Sequence, residues 1–263
     1  MATIGNYHVG KLISEGGFAY IYHAQHMVLE ELACVKQTKT DSIDHGELLR
    51  QEAKILWKLN EHHSIPHAKD FMRIKDGSHV MIMDYIDGKT LDSLIPDNSR
   101  MHPEDVCSIT ERLLDALFYC HYKGVVHSDI KPGNVIVEPK KRDIKLIDFG
   151  LSVYKPKSST KPLGYTEAFV APEILEGKPP VPETDLYGAG IVMLYALGGN
   201  AITKEFPSDI PIPIKDFCNA LLRYNPMDRP NWEKVNLVKA LSDVRQEVFG
   251  RRHTDAYAKT KMS

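Results

Sequence analysis

A polar stretch from His127 to Asn134 lies between two apolar parts of the chain. It places a carboxylate (Asp129), an ammonium (Lys131) and a carboxamide (Asn134) within six residues, and a second carboxylate, Asp148, follows nineteen residues after the first. The flanking apolar segments are short and broken by Gly, Pro and charged residues, which is typical of strands and a hairpin. We therefore expect two carboxylates and an amide at strand ends, close together in space.

The side chains of this stretch, together with Asp148, are of the types that bind a metal and a phosphate. Carboxylate and amide oxygens suit a divalent metal that bridges a polyphosphate. Lys131, two residues after Asp129, is placed to hold a transferring phosphoryl group. The stretch therefore predicts phosphoryl transfer.

The His127–Asn134 stretch, followed by Asp148-Phe149-Gly150, resembles the catalytic loop and metal-binding motif of the protein kinases. The resemblance implies ATP as phosphoryl donor and Mg²⁺ as metal, with Mn²⁺ as an alternative. It implies catalytic roles for Asp129, Lys131 and Asn134, and metal ligation by Asn134 and Asp148. His127, Phe149 and Gly150 match the motifs' structural positions. One departure is Ser128, which stands where the family usually has arginine.

Composition narrows the class of protein. The chain has 263 residues, of which 43% are apolar and 26% charged, as in an ordinary globular protein with one large core or two modest ones. A net charge of -2 gives no basic field for nucleic acid or anionic membrane. No apolar run reaches the roughly 18 residues that span a bilayer, and the N-terminus does not read as a signal peptide. Four scattered cysteines favour a reduced, cytoplasmic protein.

Residues 7–38 are predicted to form three strands, Tyr7–Ile13, Ala19–Gln25 and Glu31–Thr38. The Gly-bearing turn between the first two, taken alone, is typical of a plain hairpin. In the wider context it resembles a kinase glycine-rich loop, although only the central glycine, Gly16, is kept. The resemblance implies that ATP is covered by Ser14, Glu15, Gly16, Gly17 and Ile21.

A lysine near a strand end, such as Lys36, is usually solvated, but the next segment changes this expectation. Residues 48–59 have helical periodicity, and Glu52 lies on the apolar stripe, four residues from both Leu48 and Leu56. A buried carboxylate costs several kcal/mol, as an order of magnitude, unless it is paired. We therefore predict a Lys36–Glu52 pair; a rotated helix with Glu52 exposed is the alternative. The kinase resemblance implies that Lys36 also holds the α- and β-phosphates.

Val80–Tyr85 is predicted to be a further strand, and the segment Ile86-Asp87-Gly88-Lys89 ends it. This segment resembles the hinge between the two kinase lobes. The resemblance implies that Met83 lies behind the adenine and that Asp84-Tyr85-Ile86, with Asp84 and Ile86 as the named contacts, offers backbone groups to it. Cys34 and Ile136 complete the implied ATP-binding set. From its residue type alone, Met83 is a core side chain. The expected organisation is an N-lobe over 1–86, a C-lobe over 87–250 and a polar tail over 251–263.

The chain beyond the hinge is predicted to be mainly helical. A helix opens at His102 with a buried stripe and ends before Gly124, and a polar loop covers 151–166. Further positions match motifs of the kinase family that end the activation segment or hold it and the catalytic loop in place. These residues are Thr166, Glu173, Asp185 and Arg229. Arg229 would pair with Glu173, whereas in isolation it is an ordinary surface arginine.

The order and spacing of these motifs predict an α+β, two-lobed protein-kinase fold: a small antiparallel β-rich N-lobe with one key helix, and a larger, mainly α-helical C-lobe. Lys131 and Thr166 favour the serine/threonine branch, with protein Ser/Thr hydroxyls as acceptors, no nucleic-acid partner, no membrane insertion and a monomer as the default. A pseudokinase binding module and a small-molecule kinase are the two alternatives. Ser128 favours activity that does not depend on activation-segment phosphate, because a serine cannot form arginine's bidentate contact.

Overall fold

The computed structural model describes residues 2–39, 42–97, 99–141 and 143–252. They fall into two compact units. The first unit contains the described residues up to Asp87 together with Asp148–Gly150, and the second contains Gly88–Ile147 and the described residues from Leu151 onward. Apart from Arg251 and Arg252, the expected polar tail lies outside the described residues.

The first unit combines one sheet with one helix. Its elements are β1 (Ala2–Ile4), β2 (Tyr7–Glu15), β3 (Ala19–His26), β4 (Leu32–Thr38), α1 (Ile43–Lys58), β5 (Ala68–Arg73) and β6 (His79–Asp84). The strands form an antiparallel sheet in the order β1-β2-β3-β4-β6-β5. The three predicted strands of residues 7–38 are present, but β2 runs two residues further than expected and takes Ser14 and Glu15 into the sheet.

The register of this sheet separates a core face from a second face. Successive side chains of a strand alternate between faces, and directly opposed residues share a face. One face carries an apolar cluster of Ile4, Ala24, Ala33, Val35, Val80 and Ile82. The other carries Lys36 with its β3 neighbour Ile21, and Cys34 with its β6 neighbour Met83. Four of the implied ATP-binding residues therefore lie on one face.

Helix α1 begins at Ile43, five residues before the predicted start at Leu48. Its buried residues include Leu49, Glu52, Ile55 and Leu56, so the predicted apolar stripe faces the interior and Glu52 lies within it. The alternative of a rotated helix with Glu52 exposed is wrong.

The second unit is mainly helical. Its elements are β7 (Lys89–Thr90), α2 (Leu91–Leu94), α3 (Pro103–Tyr122), β8 (Val125–Val126), β9 (Val135–Glu138), β10 (Asp143–Leu146), β11 (Val153–Tyr154), α4 (Pro172–Leu175), α5 (Pro182–Ala196), α6 (Ile212–Leu221) and α7 (Leu237–Phe249). The strands form two small sheets, β10-β9-β7 and β11-β8. Within the described residues, no helix has the combined length and hydrophobicity needed to cross a bilayer.

Helices α3 and α5 form the centre of this unit. Helix α3 begins after His102, whose ring accepts from the Glu104 backbone N–H, and ends before Gly124, whose φ of +79° is a conformation that glycine tolerates. Its predicted buried stripe is confirmed. Helix α5 packs against α3, and most of its residues are buried, as expected for a helix without a polar face.

The polar stretch that follows α3 is framed by short strands. β9 and β10 form the predicted hairpin, with Val135 opposite Leu146 and Val137 opposite Ile144. Gly88 packs directly on this hairpin, since a Cβ there would lie 2.4 Å from the Val137 carbonyl oxygen. After β11, residues 155–171 contain turns and bends without a helix or strand.

Candidate active site

The first unit contains a buried cation held by two carboxylates. The Lys36 ammonium donates to both carboxylate oxygens of Glu52 at 2.8 Å and to Asp148 Oδ1 at 3.0 Å. The predicted Lys36–Glu52 pair is therefore present. The Phe149 backbone N–H also bonds to Glu52, and the Lys36 ammonium lies 5.3 Å from the centre of the Phe18 ring. This network ties α1, β4 and the Asp148-Phe149-Gly150 segment together.

Burial and charge act in opposite directions on this pair. Burial by itself would lower the pKa of Lys36, but the carboxylates of Glu52 and Asp148 outweigh it and raise that pKa. The Lys36 ammonium is therefore fully charged at neutral pH. Burial raises the pKa of Glu52, and the charge of Lys36 opposes that rise.

Asp148 differs from Glu52 in its exposure. Its side chain is 45% exposed, whereas that of Glu52 is 2% exposed. Asp148 has a φ of +63°, a left-handed conformation that is uncommon for a residue other than glycine and recurs at functional sites. The backbone at Asp148 thus presents an accessible carboxylate. A carboxylate oxygen is the kind of donor that suits Mg²⁺.

The glycine turn is shorter than the sequence suggested. Ser14 and Glu15 pair with Ile21 and Tyr20 in the β2–β3 ladder, and the turn is closed by a 2.9 Å bond from the Gly16 N–H to the Ala19 carbonyl. The Glu15 carboxylate bonds to Lys39 at 2.5 Å. A Cβ at Gly17 would meet no atom within 4 Å, so the tip of this turn is open.

The implied adenine-binding residues lie at the end of β6. Met83 stands opposite Cys34, and both side chains are on the Lys36 face of the sheet. The Asp84 backbone N–H donates to the His67 carbonyl, and the Asp84 carboxylate accepts from the His67 N–H at 3.0 Å. Because the Asp84 N–H is bonded to the carbonyl of His67, just before β5, it is not the group that would bind a base. Ile86 is half-buried and follows the strand.

In the second unit, Asp129 is the centre of a hydrogen-bond cluster. Its Oδ1 accepts from the Thr166 hydroxyl at 2.8 Å, and its Oδ2 accepts from Lys131 Nζ at 2.6 Å. Lys131 also donates to the Thr166 hydroxyl at 2.8 Å. A carboxylate, an ammonium and a hydroxyl therefore form a triangle in which the hydroxyl contacts both charges.

Asn134 completes this cluster. Its amide nitrogen donates to the Asp129 carbonyl at 2.8 Å and to Asp129 Oδ2 at 3.1 Å. Both amide hydrogens are used in this way, so the carboxamide oxygen is the atom of Asn134 that can ligate a metal. Ile136, the other implied nucleotide contact in this unit, is half-buried in β9 opposite Lys145.

The backbone of the polar stretch is held from α5. Asp185 accepts from the N–H groups of His127 and Ser128, each at 2.8 Å. His127 is wholly buried; its Nδ1 accepts from the Asp129 N–H, so its Nε2 donates to the Ile147 carbonyl at 3.1 Å. Ser128 has a φ of +70°, a strained conformation that these bonds stabilise.

Glu173 and Arg229 form the second predicted pair. Two parallel bonds of 2.7 and 2.8 Å join the guanidinium to the carboxylate, and both side chains are buried. The remaining Arg229 donors bond to the backbone carbonyls of residues 183, 223 and 224. Thr184 Oγ1 also donates to Glu173 at 2.8 Å. The alternative of a surface arginine is wrong.

Three residues that the sequence reading did not single out contribute here: His121, Thr184 and Trp232. His121 Nε2 lies 2.8 Å from Asp185 Oδ2, and Trp232 Nε1 donates to His121 Nδ1 at 2.7 Å. In the sequence, two of these residues could have been noticed because they lie close to motif residues. Thr184 directly precedes Asp185, and Trp232 follows Arg229 by three residues.

The fold and these side-chain clusters define the class of protein. A family model described as the protein kinase domain matches residues 7–239. The chain therefore belongs to the protein kinase family, and the predicted two-lobed α+β fold is confirmed.

The chain is similar to several named serine/threonine kinases. It is 27% identical over 254 residues to mouse Aurora kinase C, covering 89% of this chain and 90% of the relative. It is 27% identical over 248 residues to serine/threonine-protein kinase PrkC of Bacillus subtilis, with 91% and 38% covered. It is 30% identical over 243 residues to serine/threonine-protein kinase PkaA of Streptomyces coelicolor, with 83% and 44% covered. The chain thus spans less than half the length of these two bacterial relatives.

Proposed function

We propose that this chain transfers the γ-phosphoryl group of ATP to serine or threonine hydroxyls of protein substrates. The observation that carries the proposal is the bond of the Thr166 hydroxyl to both Asp129 and Lys131. A hydroxyl of the kind to be phosphorylated is held where a carboxylate can accept its proton and an ammonium can neutralise developing charge. The same two side chains would act on a substrate hydroxyl.

Asp129 accepts or orients the proton of the acceptor hydroxyl, and Lys131 stabilises the charge on the transferring phosphoryl group. Lys36 aligns the α- and β-phosphates, with its ammonium kept charged and fixed by Glu52. There is little covalent work for such a protein, so positioning and preorganised charge supply most of the rate.

The oxygen donors fit Mg²⁺ or Mn²⁺. Asp148 offers an accessible carboxylate, and Asn134 offers a carboxamide oxygen because its amide hydrogens are bonded to Asp129. Such hard oxygen ligands are those that Mg²⁺ prefers. When bound, the metal would neutralise polyphosphate charge.

We further propose that activity does not require phosphate on the activation segment. The Ser128 hydroxyl is buried and bonds to no described residue. The cavity beside it is lined by ten described residues, and none of these is Lys, Arg or His. Thr166 already connects the segment to Asp129 and Lys131 through two hydrogen bonds, without a phosphate.

We also propose a cytoplasmic location. The four cysteines are buried and free, which is typical of proteins in a reducing compartment.

The test is incubation with γ-labelled ATP and Mg²⁺, once with a generic protein substrate and once with a mixture of small metabolites. We expect label on the protein, and phosphoserine or phosphothreonine after acid hydrolysis. Label only on a metabolite would establish a small-molecule kinase instead. Nucleotide binding without transfer in either incubation would establish a binding module.

A further inference from the structure

The position of Asp129 depends on a carboxylate that belongs to another element. Asp185, at the start of α5, binds the N–H groups of the two residues that precede Asp129, and its side chain is fully buried. Because Ser128 has a strained backbone conformation, these two bonds help to hold this part of the backbone in place. The orientation of Asp185 therefore matters for the catalytic geometry.

Asp185 is itself held by a chain of side-chain hydrogen bonds. The Oδ2 atom that binds the His127 N–H also lies 2.8 Å from His121 Nε2. His121, on α3, is bonded at its other ring nitrogen by the indole N–H of Trp232, at 2.7 Å. The chain runs from Trp232 through His121 to Asp185, and so to the backbone beside Asp129.

The donor and acceptor roles along this chain follow from chemistry. An indole nitrogen can only donate, so His121 Nδ1 must accept. A neutral imidazole that accepts at Nδ1 carries its proton at Nε2, and Nε2 therefore donates to Asp185. In the other tautomer, a nitrogen lone pair would face the Asp185 carboxylate at the same distance.

We infer that Trp232 is a positioning residue for phosphoryl transfer, because its indole N–H fixes the orientation of the His121 ring that donates to Asp185 and so holds Asp185 against the catalytic loop. The inference rests on the proposed kinase function. Trp232 packs edge-to-face against Phe118, with 5.4 Å between the ring centres. A phenyl ring can make the same kind of contact, so packing against Phe118 does not by itself require an indole at this position.

The test uses Trp232→Phe, which keeps an aromatic ring and removes the N–H. The control is Trp57→Phe, a change of the other tryptophan, which is about half exposed on α1. We expect kcat to fall about tenfold in Trp232→Phe, or about 1.4 kcal/mol of barrier, with KM for ATP within about twofold of wild type. The control should match wild type in both constants.

A second readout separates positioning from packing and needs no turnover. The ¹⁵N NMR signals of the His121 ring, assigned by their loss in His121→Gln, should show a protonated Nε2 and an accepting Nδ1 in wild type. In Trp232→Phe, the Nδ1 signal should shift because that nitrogen loses its donor, and the Nε2 signal should shift because the ring is no longer fixed against Asp185. An unchanged kcat, or an unchanged His121 Nε2 signal despite a lower kcat, would overturn the inference. A wild-type protein that transfers no phosphate would overturn the proposed function instead.

Discussion

The ammonium of Lys36 lies 2.8 Å from both carboxylate oxygens of Glu52, and both side chains are almost completely buried. Removing one partner of such a pair strands a charge and costs roughly 3–5 kcal/mol, whereas replacing both by apolar groups is often nearly neutral. Single and double substitutions of this pair therefore distinguish its contribution to stability from its contribution to activity.

We expect Lys36→Met to lower the melting temperature by several degrees, and the double variant Lys36→Met, Glu52→Leu to recover most of that loss. Neither variant should transfer phosphate. The measurements are thermal unfolding by circular dichroism and label transfer from ATP. Lys39→Met is the matched control, because its partner Glu15 is about half exposed and such pairs contribute at most about 1 kcal/mol. A double variant less stable than Lys36→Met would contradict this account.

Asp129→Asn retains the shape of the side chain and removes the proton acceptor. A positioned general base typically contributes 10²–10⁴-fold, so we expect the rate of phosphoryl transfer to fall by at least about 100-fold while the affinity for ATP stays within about threefold. Steady-state kinetics and nucleotide binding by calorimetry measure the two effects. Asp216→Asn, at an exposed position on α6, should behave as wild type. Near-normal turnover by Asp129→Asn would remove the catalytic assignment.

Arg229 uses every one of its donors, two on Glu173 and the others on backbone carbonyls. We expect Arg229→Ala to lose roughly 3–5 kcal/mol, which lowers the melting temperature by about 6 °C or more, or to be insoluble. Arg229→Lys should be intermediate, because it keeps the charge and loses the bidentate contact. Arg223→Ala is the control, because Arg223 is exposed and the substitution keeps the backbone carbonyl that accepts from Arg229. Equal melting temperatures for Arg229→Ala and the control would refute the prediction.

The activation segment offers acceptor hydroxyls at Ser158, Ser159 and Thr160. If a phosphate there is not needed, the triple alanine variant and phosphatase-treated wild type should both keep activity within about threefold of untreated wild type. Initial rates with a generic protein substrate, together with mass spectrometry of the segment, provide the test. A tenfold loss in both samples, or roughly 1.4 kcal/mol of barrier, would show that another cation replaces the missing arginine.

All four cysteines are free and buried. Burial raises the pKa of Cys34 and of Cys107 to about 12, and it raises the pKa values of Cys120 and Cys218 well above the ordinary range. Because the thiolate is the nucleophile, we expect no alkylation by iodoacetamide at pH 8 in the folded protein and complete alkylation in denaturant. Peptide mass spectrometry distinguishes the sites. Rapid modification of Cys34 at pH 8 would show that its face of the sheet is open.

Local patterns were sufficient for much of the fold. Strand and helix patterns located β3, β4, β6 and α3 to within about two residues, and they located α1 with a start five residues too late. They could do so because each element buries one face, and the residues of that face recur within a short stretch of sequence. Short or less periodic elements, such as β1, β5 and α6, were not anticipated. The end of β2 was placed too early, since pairing with β3 rather than local propensity keeps Ser14 and Glu15 extended.

The sequence by itself determined the Lys36–Glu52 pair and the grouping of Asp129, Lys131 and Asn134, whereas the Glu173–Arg229 pair was expected only from the family resemblance. A carboxylate on an apolar helix stripe requires a cation, and three polar groups within six residues cannot lie far apart. Only the tertiary structure decided that Thr184 reaches Glu173, and that Trp232, 111 residues from His121 along the chain, donates to its ring. Hydrogen bonds are short and directional, so these bonds depend on how α3, α5 and the segment after Arg229 pack together. A local sequence pattern does not predict that packing.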